Sequence, residues 1–137
     1  MSRVSVHCGF GKFRFKPMPQ TKLKPETQPS EHLEQVRFVS WFRRSYPTVK
    51  IMSIPNGGHR HIAVAAKMKA EGQAKGAPDI FIPAWLCWIE FKKIKGGIVS
   101  PVQKDWIAYL KAIGHTVIIG HGFEDAKRQI EDVKKPL

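Results

Sequence analysis

The run Leu86-Cys87-Trp88-Ile89-Glu90-Phe91-Lys92 reads as a strand in which alternate residues share a face, so Glu90 and Lys92 point the same way as Leu86 and Trp88. Two charges therefore stand at the end of an apolar face. Burying a carboxylate there is costly unless a cation or hydrogen-bond donors compensate it, and Lys92 is one such cation. Asp79 heads a second apolar run eleven positions before Glu90. A hairpin of that length brings its carboxylate beside that of Glu90. Two carboxylates held close repel, and a hard divalent ion such as Mg²⁺ or Mn²⁺ relieves the repulsion with the oxygen ligands it prefers. The same constellation suits phosphodiester hydrolysis: a metal polarises the phosphoryl oxygen and lowers the pKa of an attacking water, while Lys92 orients that water or stabilises charge developing on phosphorus. An isolated Glu-x-Lys is no more than a charged strand end. Its weight comes from Pro78-Asp79 upstream and from a basic chain around it.

The elements that must position these groups follow from periodicity and punctuation. Ser30 is a suitable N-cap for a helix running to about Ser45, with Glu31 in the first turn where the helix dipole favours a negative charge. Its apolar residues Leu33, Val36, Phe38, Val39, Trp41 and Phe42 occupy more than one stripe, so it needs cover on two sides, from a sheet and from a partner subunit. Val49 to Ile54 reads as a strand leading into the turn Pro55-Asn56-Gly57-Gly58, and a helix follows from about Arg60 to Glu71, with Ile62, Ala65, Ala66 and Lys69 on one face and Gly72 as terminator. Asp79 to Pro83 and Leu86 to Lys93 are the arms of an antiparallel hairpin. Ser100-Pro101-Val102-Gln103 combines N-cap, Pro at the first helical position and Gln at the capping-box position, opening a helix that carries Val102, Trp106, Leu110 and Ile113 inward. Thr116 to Ile119 is a further strand and Phe123 to Val133 a last helix. This order predicts an α/β fold with a mixed sheet and helices on its faces.

The 137 residues allow one domain with a real core. Lys and Arg total 23 against 11 acidic residues, a formal net charge of +12, which favours a polyanionic partner and makes nucleic acid the first to consider. Residues 1–29 form a separate basic arm in which Lys12, Arg14, Lys16, Lys22 and Lys24 recur among Pro17, Pro19, Pro25 and Pro29, a composition that favours an extended, poorly packed segment. Lys12-Phe13-Arg14-Phe15-Lys16 alternates at the strand period, which serves an edge strand or a disordered segment before it serves a base-stacking clamp. Residues 30–137 form the domain. Cys8 and Cys87 are too far apart and too isolated for a disulfide framework or a zinc site, and Cys87 reads as buried filler. With no run of about 18 apolar residues and no secretory signal, the expectation is a soluble, cytoplasmic protein.

Taken together, Glu31 with Gln35, Ile54-Pro55-Asn56-Gly57-Gly58-His59-Arg60, Ala65-Ala66-Lys67-Met68-Lys69-Ala70-Glu71-Gly72, Gly76-Ala77-Pro78-Asp79, Ile89-Glu90-Phe91-Lys92 and Ser100-Pro101-Val102-Gln103 resemble the ordered blocks of virus-type replication-repair (VRR-NUC) nucleases. The resemblance runs from about Ser30 to Glu131 and leaves the arm uncovered. It implies a restriction-endonuclease-like PD-(D/E)XK fold and a Mg²⁺- or Mn²⁺-dependent endonuclease of the stand-alone type carried by phages and prophages, which would act in the bacterial host cytoplasm. Carried over by residue, it makes Asp79 and Glu90 metal ligands, with the backbone carbonyl of Phe91 often another. Lys92 becomes the catalytic lysine, Glu31 a further acidic group reaching the metal or its water, and Gln103 a polar residue lining the site. The Asp79–Glu90 connection is shorter than is usual in that family, and bulky Phe91 stands where a smaller aliphatic is common. By the same analogy the chain is a homodimer acting on branched DNA such as a Holliday junction, where a two-fold dimer supplies two cuts related by the junction's symmetry.

The other candidates have plainer readings beside the functional ones. Asn56 and Gly57 suit a tight turn, and within the family pattern they also shape a substrate groove in which Arg60 contacts phosphate. Lys67, Lys69, Lys75, Lys93 and Lys95 surround the site in sequence; they are a solvated face or, in a nuclease, the track of the nucleic-acid backbone, with Lys69 and Lys93 singled out. Glu34 is an alternative to Glu31 as the first-helix carboxylate. His59 and His61 lack a third ligand for zinc. Glu71 and Asp105 are exposed helix charges, His115 and His121 structural. Trp85, Trp88 and Trp106 read as core or interface residues and not as base-stacking ones. A catalytically silent nucleic-acid-binding protein on the same fold is the alternative of a different class, and a sequence-specific enzyme would need base-reading loops for which few residues remain.

Overall fold

The Ser30 hydroxyl accepts the Leu33 backbone N–H at 3.1 Å and so starts helix α1 (Glu31–Ser45) in a computed structural model that describes residues 27–55 and 61–133. Residues 1–26 of the basic arm, the turn residues Asn56 and Gly57, and Arg60 lie outside the described residues. Three further α-helices follow, α2 (Ile62–Ala70), α3 (Pro101–Ala112) and α4 (Phe123–Asp132), with strands β1 (Met52–Ser53), β2 (Ile80–Ile82), β3 (Cys87–Lys92) and β4 (Thr116–His121). The four strands form one sheet in the order β1-β2-β3-β4. The pairs β1–β2 and β2–β3 are antiparallel, and β3–β4 is parallel, with Ile80 opposite Ile89 and Ile89 opposite Ile118. The mixed sheet flanked by helices is the architecture expected. A short 3₁₀ turn, Pro83–Trp85, joins β2 to β3 and closes on Leu86, which adopts a left-handed φ of 45°.

Strand alternation sorts this sheet into two faces. Ile80, Ile82, Cys87, Ile89, Phe91 and Ile118 are buried on one face, together with Phe38 and Phe42 of α1 and Ala126 and Ile130 of α4. Burying each such large side chain contributes about 1.5–3 kcal/mol. The helix α1 buries a stripe at i, i+4, made of Glu34, Phe38 and Phe42, while Leu33 and Val36 on its other side stay exposed. Phe42, Tyr46 and Trp85 meet edge-on or tilted at 4.9–5.3 Å between ring centres, so the 3₁₀ turn is fastened to the end of α1. Trp85 thus belongs to the core, as does Cys87, whose thiol burial pushes up to about 12, leaving it an inert filler.

Three expectations change. The strand foreseen over Val49 to Ile54 contracts to Met52–Ser53: the Val49 N–H donates to the Tyr46 carbonyl in a turn, and pairing with β2 runs only over Met52–Phe81 and Ser53–Ile80. The helix α2 buries none of its residues, so the apolar face Ile62, Ala65, Ala66 and Lys69 does not face the core. In α3, Leu110 is inward as expected but is joined by Ile107, while Trp106 is half-buried and Val102 and Ile113 are exposed. The helix is rotated from the expected stripe because Gln103, drawn to Glu90 and Lys92, fixes which side faces the sheet.

One contact tests this packing. A Cβ added to Gly120 of β4 would stand 2.7 Å from the Ala126 Cβ and 3.3 Å from its Cα. Gly120→Ala should therefore destabilise the fold by about 1–3 kcal/mol through overpacking, read as a lower urea midpoint at unchanged slope.

Candidate active site

Of the charged residues on β3, Glu90 is 2% exposed and Lys92 7% exposed. They lie on the face opposite the core, toward α3. The Lys92 Nζ sits 2.8 Å from Glu90 Oε1 and donates to Gln103 Oε1 at 3.0 Å, while the Gln103 amide donates to the same Glu90 oxygen. Gln103 is also the capping-box residue of α3: its Oε1 accepts the Ser100 N–H at 2.9 Å and its own N–H donates to the Ser100 hydroxyl at 3.3 Å. One amide thus closes the helix start and clasps the buried ion pair, so the N-terminus of α3 is tied to β3 at the site.

Asp79 precedes β2, and its Oδ2 accepts the Phe91 N–H at 2.8 Å, which fastens its carboxylate to β3 next to Glu90. Glu31, in the first turn of α1, accepts the Lys93 N–H at 3.1 Å. Glu31, Asp79, Glu90, Lys92 and Gln103 line one cleft of about 360 Å³, together with Lys75, Gly76, Ala77, Ser100 and Val102. Gly76 has φ 89°, and a Cβ there would meet Val102 Cγ1 at 2.5 Å, so the loop before β2 approaches α3 closely enough to wall the cleft only as glycine.

The electrostatics of the cleft are those of carboxylates held against their preference. Burial pushes the Glu90 carboxyl up to about 7; the hydrogen bond and charge of Lys92 oppose the rise, and the charges of Asp79 and Glu31 add to it. Asp79 is raised for the same leading reason, burial, against the Phe91 N–H and Lys92, with Glu31 adding to the rise. Glu90 Oε2 is the one buried side-chain polar atom among the described residues that has no hydrogen-bond partner. A buried carboxylate oxygen left without a donor is suited to a cation. Among the described residues no three His, Cys, Asp and Glu side chains gather tightly enough to hold a metal ion by themselves. Asp79 and Glu90 fit a hard divalent ion that keeps several waters, the coordination typical of Mg²⁺ on one or two carboxylates.

The remaining expected residues are placed as follows. The Phe91 ring lies in the core, 5.5 Å from Phe38, on the face away from Glu90, so its bulk does not narrow the cleft. Glu34 does not stand in for Glu31: its buried carboxylate accepts the Phe123 N–H at 2.6 Å and the Arg37 guanidinium at 2.8 Å, capping α4 from α1 where Gly122 has no side chain to do so. Lys93 is exposed beside the cleft, its backbone held by Glu31 and by His121 Nδ1. Lys69 is exposed on α2 and does not line the cleft. Lys75 does line it and is the cation that sequence reasoning did not single out; its one signal was its place four residues before Asp79.

No family model matches the chain. No curated protein matches it either. A solved structure, a VRR_NUC domain protein, matches with a TM-score of 0.64 at 24% identity, covering 78% of this chain and 89% of that one. The chain has the VRR-NUC fold. This is the PD-(D/E)XK-like arrangement foreseen, and within it the β2–β3 hairpin of the VRR-NUC fold carries Asp79, Glu90 and Lys92 to one end of the sheet.

The raised Glu90 carboxyl has a measurable consequence. The folded protein holds this proton more tightly than the unfolded chain, so between the ordinary carboxylate pKa and about 7 stability falls as pH rises, by an amount on the order of 3 kcal/mol, and then levels. Urea unfolding in EDTA should show wild type losing stability from about pH 5 to pH 8 and Glu90→Gln losing much less. Equal slopes would mean that Glu90 titrates normally.

Proposed function

We propose that this chain is a metal-dependent, structure-selective DNA endonuclease that hydrolyses phosphodiester bonds in branched DNA and works as a homodimer. The observation that carries the reading is the gathering of Asp79, Glu90, Lys92 and Gln103 in one cleft of a VRR-NUC fold. A pure binder has no need of carboxylates where phosphate must approach. Mg²⁺ or Mn²⁺, held by Asp79, Glu90 and the Phe91 carbonyl with Glu31 reaching it or its water, would supply Lewis acidity to the phosphoryl oxygen and a lower pKa to the attacking water.

The chain's own residues do the rest. Lys92, fixed by Glu90 and Gln103, holds an ammonium where it can orient the attacking water or stabilise charge on the phosphoryl oxygens. Gln103 keeps that ammonium in register through three hydrogen bonds of its own. Lys75 and Lys93 offer cations beside the cleft to the flanking phosphates, and on the sequence pattern alone we assign Lys69, Asn56, Gly57 and Arg60 to the wider nucleic-acid contact. Contacts of this kind read backbone position and not base sequence, which supports selection by DNA shape. The exposed Leu33 and Val36 on α1 support a second copy as cover, which would place two cleavage sites across a two-fold axis.

The test is cleavage of end-labelled four-way junction, flap, duplex and single-stranded DNA in Mg²⁺, Mn²⁺ or EDTA. Wild type should cut only with metal and prefer branched substrates. Asp79→Ala and Lys92→Ala should each lower the rate by at least about 10²-fold while binding survives. Folded wild type that binds every substrate and cuts none under either metal would make the chain a binding protein on a nuclease scaffold.

A further inference from the structure

A second cavity, of about 420 Å³, adjoins the cleft and shares Ala77 with it. Trp88 and Trp106 line it, with Met68 of α2 and with Ile54 and Pro55 that follow β1. Both indoles stay half-buried, where residues of a plain core would be covered.

Their placement follows from the catalytic residues. Trp88 stands two positions before Glu90 on the same face of β3, about 7 Å along the strand. Trp106 stands one helical turn after Gln103 on α3, about 4.5 Å along the axis. The two elements that meet at the Glu90–Gln103 contact therefore present a pair of indoles one step further on. Trp88 is rigidly set: its Nε1–H donates to His115 Nδ1 at 2.8 Å, and its ring stacks on Phe81 at 4.2 Å and 24°. Trp106 is braced edge-on by Tyr109 at 6.0 Å and 89°. A ligand that fills both adjoining spaces would carry a phosphodiester in the cleft and a flat apolar group against the indoles. Glu71 adds a carboxylate to the largely apolar lining, and the Gln73 amide donates to the Pro55 carbonyl.

The geometry points to a nucleobase subsite: the cavity that Trp88 and Trp106 line receives one unpaired base of the strand whose phosphate occupies the neighbouring cleft. A base within a duplex is stacked on both sides and cannot enter, so the subsite selects a base that is already extruded or single-stranded. In the sequence these tryptophans read as core or interface residues; only the fold reveals the cavity that both line. The inference rests on the nuclease reading for the position of the phosphate, and it names the part of the substrate that the shape preference recognises.

The test is binding without cleavage, in EDTA at fixed low salt, of a short fluorescent oligothymidylate and of an abasic oligomer of the same length and charge. Wild type should bind the base-bearing strand about tenfold more tightly, the size expected for loss of aromatic stacking. Trp106→Ala should remove most of that preference while binding the abasic strand as wild type does, and Trp106→Phe should keep most of it. Matching unfolding midpoints for the two variants exclude a folding defect. Equal affinity of wild type for both strands, or equal weakening of both by Trp106→Ala, overturns the subsite. Base preference that survives in a protein that cuts nothing with Mg²⁺ or Mn²⁺ would leave the subsite standing and remove the nuclease reading alone.

Discussion

A buried ion pair, Glu90 with Lys92, is the constraint around which the rest of the site is built. Desolvating two charges costs several kcal/mol each, and their attraction offsets that only with good geometry and further hydrogen bonds. Here the geometry is a 2.8 Å contact and the further bonds come from one residue, Gln103. Because Gln103 is also the capping residue of α3, the helix cannot rotate or slide without exposing or orphaning the pair. The same tie explains why α3 turns Ile107 and Leu110, and not Val102 and Ile113, toward the sheet.

The carboxylates are the part the fold leaves unbalanced. Lys92 and Gln103 satisfy one oxygen of Glu90, while the other has no partner among the described residues, and Asp79 and Glu31 add negative charge to the same cleft. The opposite face of β3 supplies the stability that tolerates this: Ile89 and Phe91 sit in the same strand, one residue away on either side, in an aromatic core shared with Phe38 and Phe42. The candidate site and the core are thus separated by the pleat of a single six-residue strand. Glu34 shows how context separates roles on a helix as well. Three residues after Glu31, it is buried and spent on capping α4, whereas Glu31 stays at the cleft.

Much of the site was legible because it is written at short range. Strand alternation put Glu90 and Lys92 on one face, the brief Pro83-Ala84-Trp85 connection implied the hairpin, and Ser100-Pro101-Val102-Gln103 announced its helix start, all confirmed in the fold. What was not legible depends on contacts distant in sequence. The rotation of α3 is decided by a side chain of β3, the shortness of β1 by how little of it pairs with β2, and the exposure of α2 by the absence of any described element that buries it. The wall formed by Lys75 and Gly76 required knowing that this loop rests against Val102. No helix among the described residues is long and apolar enough to cross a membrane.

Asp79 and Glu90 line one cleft with carboxyls that burial raises, and we propose that they serve a divalent cation there. Calorimetric titration of Mn²⁺ into metal-free protein, in two buffers of different ionisation enthalpy at pH 6 and at pH 8, tests it most directly. The account predicts binding that Asp79→Ala abolishes, with proton release at pH 6 that largely disappears by pH 8, since the Glu90 carboxyl titrates at about 7. Absence of binding at both pH values, or binding that Asp79→Ala and Glu90→Gln leave intact, would contradict it.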